Sequence, residues 1–236
     1  MVKVLDKWIA LLMTIVLTHV NMNKENYNSF YNRTIKPIIG FMLALLLLLI
    51  LWPIYLIIAI FVALESGFPV IYAPLRGGYG NKPFHIYKFR SMVKDADKIG
   101  GGTTAFNDPR ITKVGNFLRK TKLDELPQLF NILGGTMSFI GPRPELLQYV
   151  NLYEGEEKLI LRVRPGITDF SSIEFINLDE VVGADNADEM YEKLVLKRKN
   201  ELRVKYAKQV SFYIDCYLFF NTVKGVIIKV VKFISN

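Results

Sequence analysis

The chain carries a single cysteine, Cys216, and two histidines, His19 and His85, in 236 residues. One thiol can form neither an intramolecular disulfide nor the thiolate cluster of a zinc site. The two imidazoles sit in unrelated contexts without metal-ligand spacing, so a histidine-based catalytic triad is not expected. Internal repeats are absent. The glycines at 77, 78 and 80 are not followed by Gly-Lys-Ser/Thr, and the segment Arg76–Asn81 reads as a turn, not a phosphate loop. No recognition helix or aromatic RNA-binding motif is present, which argues against a nucleic-acid partner.

What is present divides into apolar segments and cations. Lysine and arginine number 30 against 22 acids, a formal charge of +8, yet apolar residues make up 51% and mean hydropathy is +0.23. The length suits one catalytic domain plus a membrane element. The positive charge suits a partner rich in phosphate, either an anionic membrane surface or a phosphorylated substrate.

From Ile38 to Leu64 run 27 residues without a charge. As a straight helix they would extend about 40 Å, more than the ~30 Å of a bilayer's hydrocarbon core. Pro53, preceded by Trp52, removes a backbone hydrogen bond near the middle, so a kink is expected at that pair. Both flanks are basic, with Lys24, Arg33 and Lys36 before the run and Arg76, Lys82, Lys88 and Arg90 after it. A spanning helix normally shows charge asymmetry. Symmetric flanks favour a re-entrant helix that enters, bends and leaves on the cytoplasmic side, with a plain span as the alternative. Trp8 to Val20 is too short to span and precedes an Asn-rich stretch from Asn21 to Asn32. It reads as an interfacial helix or an extension without assigned function.

Beyond the run, Val70–Tyr72 and Phe84–Phe89 flank the glycine turn and predict a β-hairpin. From Ile111 onward the pattern is of short helices joined by Gly and Pro loops. Near the C-terminus, Val223, Ile227, Val230 or Val231 and Ile234 recur at helical spacing, with Lys224, Lys229 and Lys232 between them. That basic amphipathic helix lies on an anionic membrane or packs on the domain. The expected fold is α+β and mainly helical. It comprises an extension (1–30), a kinked re-entrant membrane helix (31–66) and a cytoplasmic catalytic domain (67–236).

The densest chemistry lies in the segment Asn116–Gly135. Pro127 predicts a short helix starting there and ending at Gly134-Gly135, which leaves Asp124 and Glu125 just ahead of it. Adjacent carboxylates outside a helix can point in different directions, so that one attacks while the other holds a metal or orients an acceptor. Taken alone, they read first as helix-capping acids. A carboxylate approaching a diphosphate meets repulsion of about 4 kcal/mol per charge pair at ~4 Å and an effective dielectric near ~20. Cations must offset it. Arg119, Lys120 and Lys122 lie just upstream, the two lysines reading as a solvated face. Arg143 sits between Pro142 and Pro144, which restrict its backbone and present a forked guanidinium to phosphate, or to an acid such as Glu145. Mg²⁺ shared by a carboxylate and the diphosphate would supply the remaining charge. Lys88 and Arg90 alternate with Phe89 at the end of a strand, lining a phosphate site or facing solvent.

Four strings in this order, Lys88–Met92, Leu123–Asn131, Met137–Glu145 and Arg164–Thr168, resemble the bacterial sugar transferases, or monotopic phosphoglycosyl transferases, of the small minimal kind. The resemblance runs from about Tyr31 to the C-terminus. It implies that Asp124 attacks the β-phosphate of a UDP-sugar, expels UMP and forms an aspartyl phosphosugar, which a polyprenol phosphate such as undecaprenyl phosphate then attacks. Glu125 would coordinate metal or activate the acceptor, Arg119 and Arg143 would bind phosphates or nucleotide, and Mg²⁺ would be the cofactor, at the cytoplasmic face of the bacterial inner membrane. Homo-oligomerisation stays open. An inactive scaffold of the same fold would be marked by loss of the dyad or of Arg143, and all three are present. Two departures stand out. Trp52 occupies a position where a small polar residue often precedes the kink proline, and Asp169–Ile173 replaces the family's usual continuation after Thr168.

Overall fold

The computed structural model describes residues 26–235; the segment Trp8–Val20 and most of the expected 1–30 extension lie outside them. A 3-10 turn (Asn26–Asn28) and one π-helical turn (Tyr31–Ile35) lead into a long helix, α1 (Lys36–Ser66), which runs without interruption through Pro53. Pro37 is tolerated in its first turn, where the missing N–H has no intrahelical partner anyway. It ends at Gly67, whose φ of 74° is readily adopted only by glycine. Lys36, Gly40 and Ala44, then Ile58 and Val62, form its buried stripe. Between and around them Leu49, Ile50, Trp52, Phe61 and Leu64 are exposed, so the helix is long and apolar enough to cross a membrane while only 11% of its most apolar window is covered.

Four two-residue strands follow: β1 (Ile71–Tyr72), β2 (Leu75–Arg76), β3 (Phe84–His85) and β4 (Lys88–Phe89). They pair antiparallel in nested fashion, β1 with β4 and β2 with β3, around the turn at Tyr79–Asn81. The alternation of this ribbon buries Phe84, Ile86 and Phe89 against α1 and a short helix described below. After α2 (Ala96–Ile99) and a glycine-rich loop come α3 (Lys113–Thr121), a 3-10 turn (Leu123–Glu125) and α4 (Gln128–Leu133). β5 (Ser138–Ile140) pairs in parallel with β6 (Gly166–Thr168), with α5 (Leu147–Val150) and a 3-10 helix (Gly155–Arg162) between them. Short helices α6 (Phe170–Glu174), α7 (Leu178–Val182) and α8 (Ala187–Tyr191) precede a π-turn (Glu192–Leu196) and α9 (Lys197–Gln209). The C-terminal helix α10 (Phe212–Ser235) is longer than the periodicity after Val223 predicts, because Phe212–Thr222 continues the same apolar face into the core through Ile214 and Leu218.

The molecule is thus mainly helical, with few strands and one long apolar helix near its N-terminus. Both ends of α1 are tied to the same body. At its start the Lys36 ammonium lies 2.9 Å from Asp215 of α10 and also donates to the Tyr206 hydroxyl of α9. At its end Glu65 accepts from the backbone N–H groups of Lys113 and Val114 at 2.8 and 2.9 Å, and Arg90 donates to the carbonyls of Ser66 and Gly67. Between these ties α4 packs along α1, with Ala44 against Leu129 and Ile132, and the Tyr55 hydroxyl donates to the carbonyl of Leu126.

Candidate active site

α3 is capped by Thr112, whose hydroxyl accepts from the Gly115 N–H at 2.9 Å, and stops where Lys122 adopts a left-handed φ of 61°. The chain then tightens into the 3-10 turn and, through Leu126 and Pro127, enters α4 without leaving helical geometry. Leu118, Leu129 and Ile132 bury on either side, and the reversal carries both acids inward: Asp124 is 6% exposed and Glu125 7%. Capping acids would stay at the solvated rim of a helix. These two instead lie in the interior, where a charge must be paired or its ionisation shifts.

The interior treats them differently. Both Glu125 carboxylate oxygens accept from the Arg143 guanidinium, one from Nη1 at 2.9 Å and the other from Nη2, and the Lys88 ammonium stands 3.6 Å away. Burial alone would push the Glu125 carboxyl up, but Arg143 and Lys88 outweigh it and hold the group well below the usual carboxylate range. Lys88 responds in turn: burial draws it down to about 8 against the pull of Glu125. Asp124 has no such pairing, and its Oδ1 is buried without a hydrogen-bond partner. Burial and then repulsion from Glu125 push its carboxyl up, against the weaker pull of Lys88, Lys122 and Arg119. One acid is a locked anion, and the other is a desolvated carboxyl with a free oxygen. Environments that separate two neighbouring acids this way assign them different roles.

Arg143 is held where it can do this by a crossing of two backbones. The Gly141 N–H donates to the Thr168 carbonyl at 2.9 Å, and the Gly166 N–H to that of Pro142 at 3.0 Å. A Cβ on Gly166 would collide with the Gly141 backbone, so the two loops meet only because both positions are glycine. Arg143 Nη1 also donates to the Ile167 carbonyl at 2.9 Å. Its backbone N–H reaches Asp169, which is fully buried and caps α6 through the Ser172 N–H at 2.7 Å. The segment Asp169–Ile173, which departs from the usual pattern in sequence, therefore begins with a residue that steadies Arg143.

Of the residues singled out in the sequence, Asp124, Glu125, Lys88 and Arg143 come together. Arg119 lies close enough to influence Asp124 and Lys88 electrostatically, while its Nη2 donates to Thr104 of the glycine-rich loop at 2.7 Å. Arg90 is placed elsewhere, at the end of α1, and Lys88 and Arg90 part company at the strand end because β4 stops at Phe89. Glu145 does not pair with Arg143; it accepts from Arg203 at 3.0 Å and from the Tyr191 hydroxyl, a buried network that anchors the loop from behind. Lys120 and Lys122 are exposed, as their reading as a solvated face requires. Two contributors carried no assigned role in the sequence: Asp169 and Thr104.

Comparison with known proteins places these residues in a wider setting. A profile described as bacterial sugar transferase matches residues 31–229. The chain is 41% identical over 204 residues to the UDP-glucose:undecaprenyl-phosphate glucose-1-phosphate transferase of Escherichia coli (strain K12), covering 84% of this chain and 41% of that protein. It is 45% identical over 122 residues to a putative undecaprenyl-phosphate N-acetylgalactosaminyl 1-phosphate transferase of Bacillus subtilis (strain 168), 52% of this chain and 68% of that one. With the UDP-N-acetylgalactosamine-undecaprenyl-phosphate N-acetylgalactosaminephosphotransferase of Aeromonas hydrophila it shares 36% identity over 179 residues, 74% of this chain and 39% of the other. The chain thus spans about two fifths of the length of the first and third of these relatives.

Proposed function

Because the chain belongs to the bacterial sugar transferase family, we propose that it is a membrane-docked phosphoglycosyl transferase that moves a sugar 1-phosphate from a UDP-sugar to undecaprenyl phosphate. The observation that carries the reading is the unequal dyad: Glu125 locked by Arg143 and Lys88, Asp124 beside it with a free buried oxygen. The names of the relatives supply the substrate class.

In the first half-reaction an Asp124 carboxylate oxygen forms a bond to the β-phosphorus of the UDP-sugar. The bond from that phosphorus to the bridging oxygen breaks, and UMP departs with the electron pair. In the second, a phosphate oxygen of the lipid acceptor attacks the same phosphorus and frees the Asp124 carboxylate. Asp124 suits the nucleophile's part because it has no cation of its own to neutralise it. Its buried position raises the energy of the anion, which bond formation to phosphorus relieves. Glu125, with both oxygens engaged, fixes Lys88 and Arg143 as two cations at the place where the diphosphate's charge must be met. Arg119 adds a third from α3.

The donor set is all oxygen, and among the described residues no group of three or more His, Cys, Asp or Glu is assembled that could cage a metal. The two adjacent carboxylates have the chemistry for a hard cation shared with a substrate diphosphate, since Mg²⁺ is commonly held by one or two carboxylates plus phosphate oxygens. Asp124, through its free Oδ1, and Glu125, by giving up one of its two bonds to Arg143, are the residues that would hold it. When bound, it would neutralise charge on the diphosphate and its leaving group.

We read α1 as a re-entrant helix bent at Trp52-Pro53, with the catalytic domain on the cytoplasmic face of the inner membrane. Support comes from the two ties of α1 to one body, at Lys36–Asp215 and at Arg90–Ser66, and from the bare apolar surface between them at Leu49, Ile50 and Trp52. A plain span would carry one tie to the opposite side of the bilayer.

The test is release of UMP from a panel of UDP-sugars by purified protein before any lipid acceptor is added, with trapping of a protein-bound phosphosugar. Strict dependence of UMP release on the acceptor, with no trappable adduct, would exclude the covalent route.

A further inference from the structure

α4 carries two buried amides, and they are treated in opposite ways. Asn131 is satisfied on both sides: its Oδ1 accepts from the Tyr87 N–H at 2.9 Å, and its Nδ2 donates to the His85 carbonyl at 2.7 Å. It bonds the helix to the strand ribbon. Gln128, one turn earlier, is fully buried, and neither its Nε2 nor its Oε1 has a partner. Buried amides are almost always hydrogen-bonded, and one that is not is a liability to the fold. Its retention calls for a partner that the resting fold does not supply.

The neighbouring polar atoms show which partner that is. Backbone geometry is helical from Leu123 through Leu126 and Pro127 into α4, tightened by i+3 hydrogen bonds at Leu126, Leu129 and Phe130, so Asp124 and Gln128 lie a little over one turn apart on one continuous winding. The second unpartnered buried atom in this stretch is Asp124 Oδ1. Glu125 is turned away into Arg143 and cannot serve Gln128. A carboxylate oxygen can only accept, so the amide's N–H is the complementary group.

We propose that Gln128 is the positioning residue of Asp124, its Nε2–H holding Oδ1 during turnover so that Oδ2 is the oxygen presented to phosphorus; the inference rests on the proposed covalent reading of Asp124. As Oδ2 bonds to the β-phosphorus and the bond to the bridging oxygen breaks, UMP leaves with the electron pair and Oδ1 becomes the carbonyl oxygen of the acyl phosphate. It remains an acceptor throughout, so one N–H donor serves both the carboxylate and the phosphosugar adduct. The return attack by the acceptor phosphate then meets a phosphorus held at a fixed angle to the helix.

The full-length protein, purified in detergent, is compared with Gln128→Met, which keeps the volume and removes both polar atoms, and with Asn131→Leu as the contrasting amide. Removing polar atoms that have no partners should raise the apparent Tm by about 2–4 °C in Q128M, whereas N131L should lower it. UMP release by Q128M should fall about 100-fold in kcat, with KM for the UDP-sugar within about twofold of wild type, because orientation of the nucleophile is lost and ground-state binding is not. A lowered Tm or failure of Q128M to fold makes Gln128 a structural amide and overturns the inference. So does wild-type kcat, or a loss confined to KM, which would place Gln128 on the substrate. If wild-type protein itself forms no adduct, the functional reading falls and this inference with it; an adduct-forming wild type matched by Q128M sinks the inference alone.

Discussion

Replacing Arg143 by methionine strips Glu125 of both guanidinium hydrogen bonds and leaves a buried carboxylate facing only Lys88 at 3.6 Å. Breaking one side of a buried ion pair costs ~3–5 kcal/mol when nothing replaces it. Here Lys88 takes up part of the charge and the Arg143 side chain is about a quarter exposed, so about 2–3 kcal/mol is the appropriate figure. For a chain of this size that is a fall in apparent Tm of roughly 5–10 °C. Glu125→Gln should cost a similar amount for the opposite reason, because it leaves Arg143 and Lys88 facing each other without the anion between them. The double variant removes both members, and its stability should return to within about 1 kcal/mol of wild type, a coupling energy of about 3–5 kcal/mol. Activity should not follow. All three variants should lose about 100-fold or more in UMP release, since the double variant regains packing but not the cation fixed beside the diphosphate. Thermal unfolding at one scan rate in one detergent, paired with UMP release, measures both. Losses of stability that simply add in the double variant would show that Glu125 and Arg143 are not coupled and would refute the division of roles within the dyad.

Asp124→Asn should abolish turnover while leaving membrane insertion intact, and it should raise the apparent Tm at neutral pH, because it removes a buried carboxylate whose Oδ1 has no partner; wild-type activity would remove Asp124 from the mechanism. Lys88 titrates near 8 when folded against 10.5 when free, so kcat/KM for the UDP-sugar should decline as pH rises through about 8. Between those values the unfolded chain holds a proton that the folded one has shed, so this group makes stability rise with pH across the window. Lys88→Arg should keep its charge and flatten both slopes, and an unchanged activity limb would acquit Lys88. Cysteines introduced at Asn28 and Phe68, with Cys216 replaced by serine, should both react with an impermeant reagent from the cytoplasmic side only, and reaction of one of them from the opposite side would establish a span.

Much of this was legible in the sequence because it rests on local rules. The uncharged run from Ile38 to Leu64 announces a membrane-seeking helix by length and composition, and Pro127 with Gly134 brackets α4 to within a residue. The meeting of Lys88, Glu125 and Arg143 was readable only through resemblance, since residues 88 and 143 are brought together by a strand ribbon and a loop crossing that no periodicity encodes. Arg90 illustrates the limit. By alternation it shares a face with Lys88, but the strand ends between them and the free carbonyls of Ser66 and Gly67 are better partners for a buried guanidinium. Gln128 illustrates another: an amide's value lies in whether its hydrogen bonds are met, and that is a property of the surroundings, not of the residue.

The two ties of α1 bear on how the molecule is made. A helix held to one body at Lys36 and again at Ser66 encloses its own exposed apolar surface in a closed loop of protein. On the re-entrant topology proposed above, the loop could not be withdrawn from lipid without opening the domain at one of its two ties. Entry into the bilayer and folding would then be a single cooperative event. A lesion in the soluble half, such as loss of Asp215 or Arg90, should be felt first as a failure to stay in the membrane.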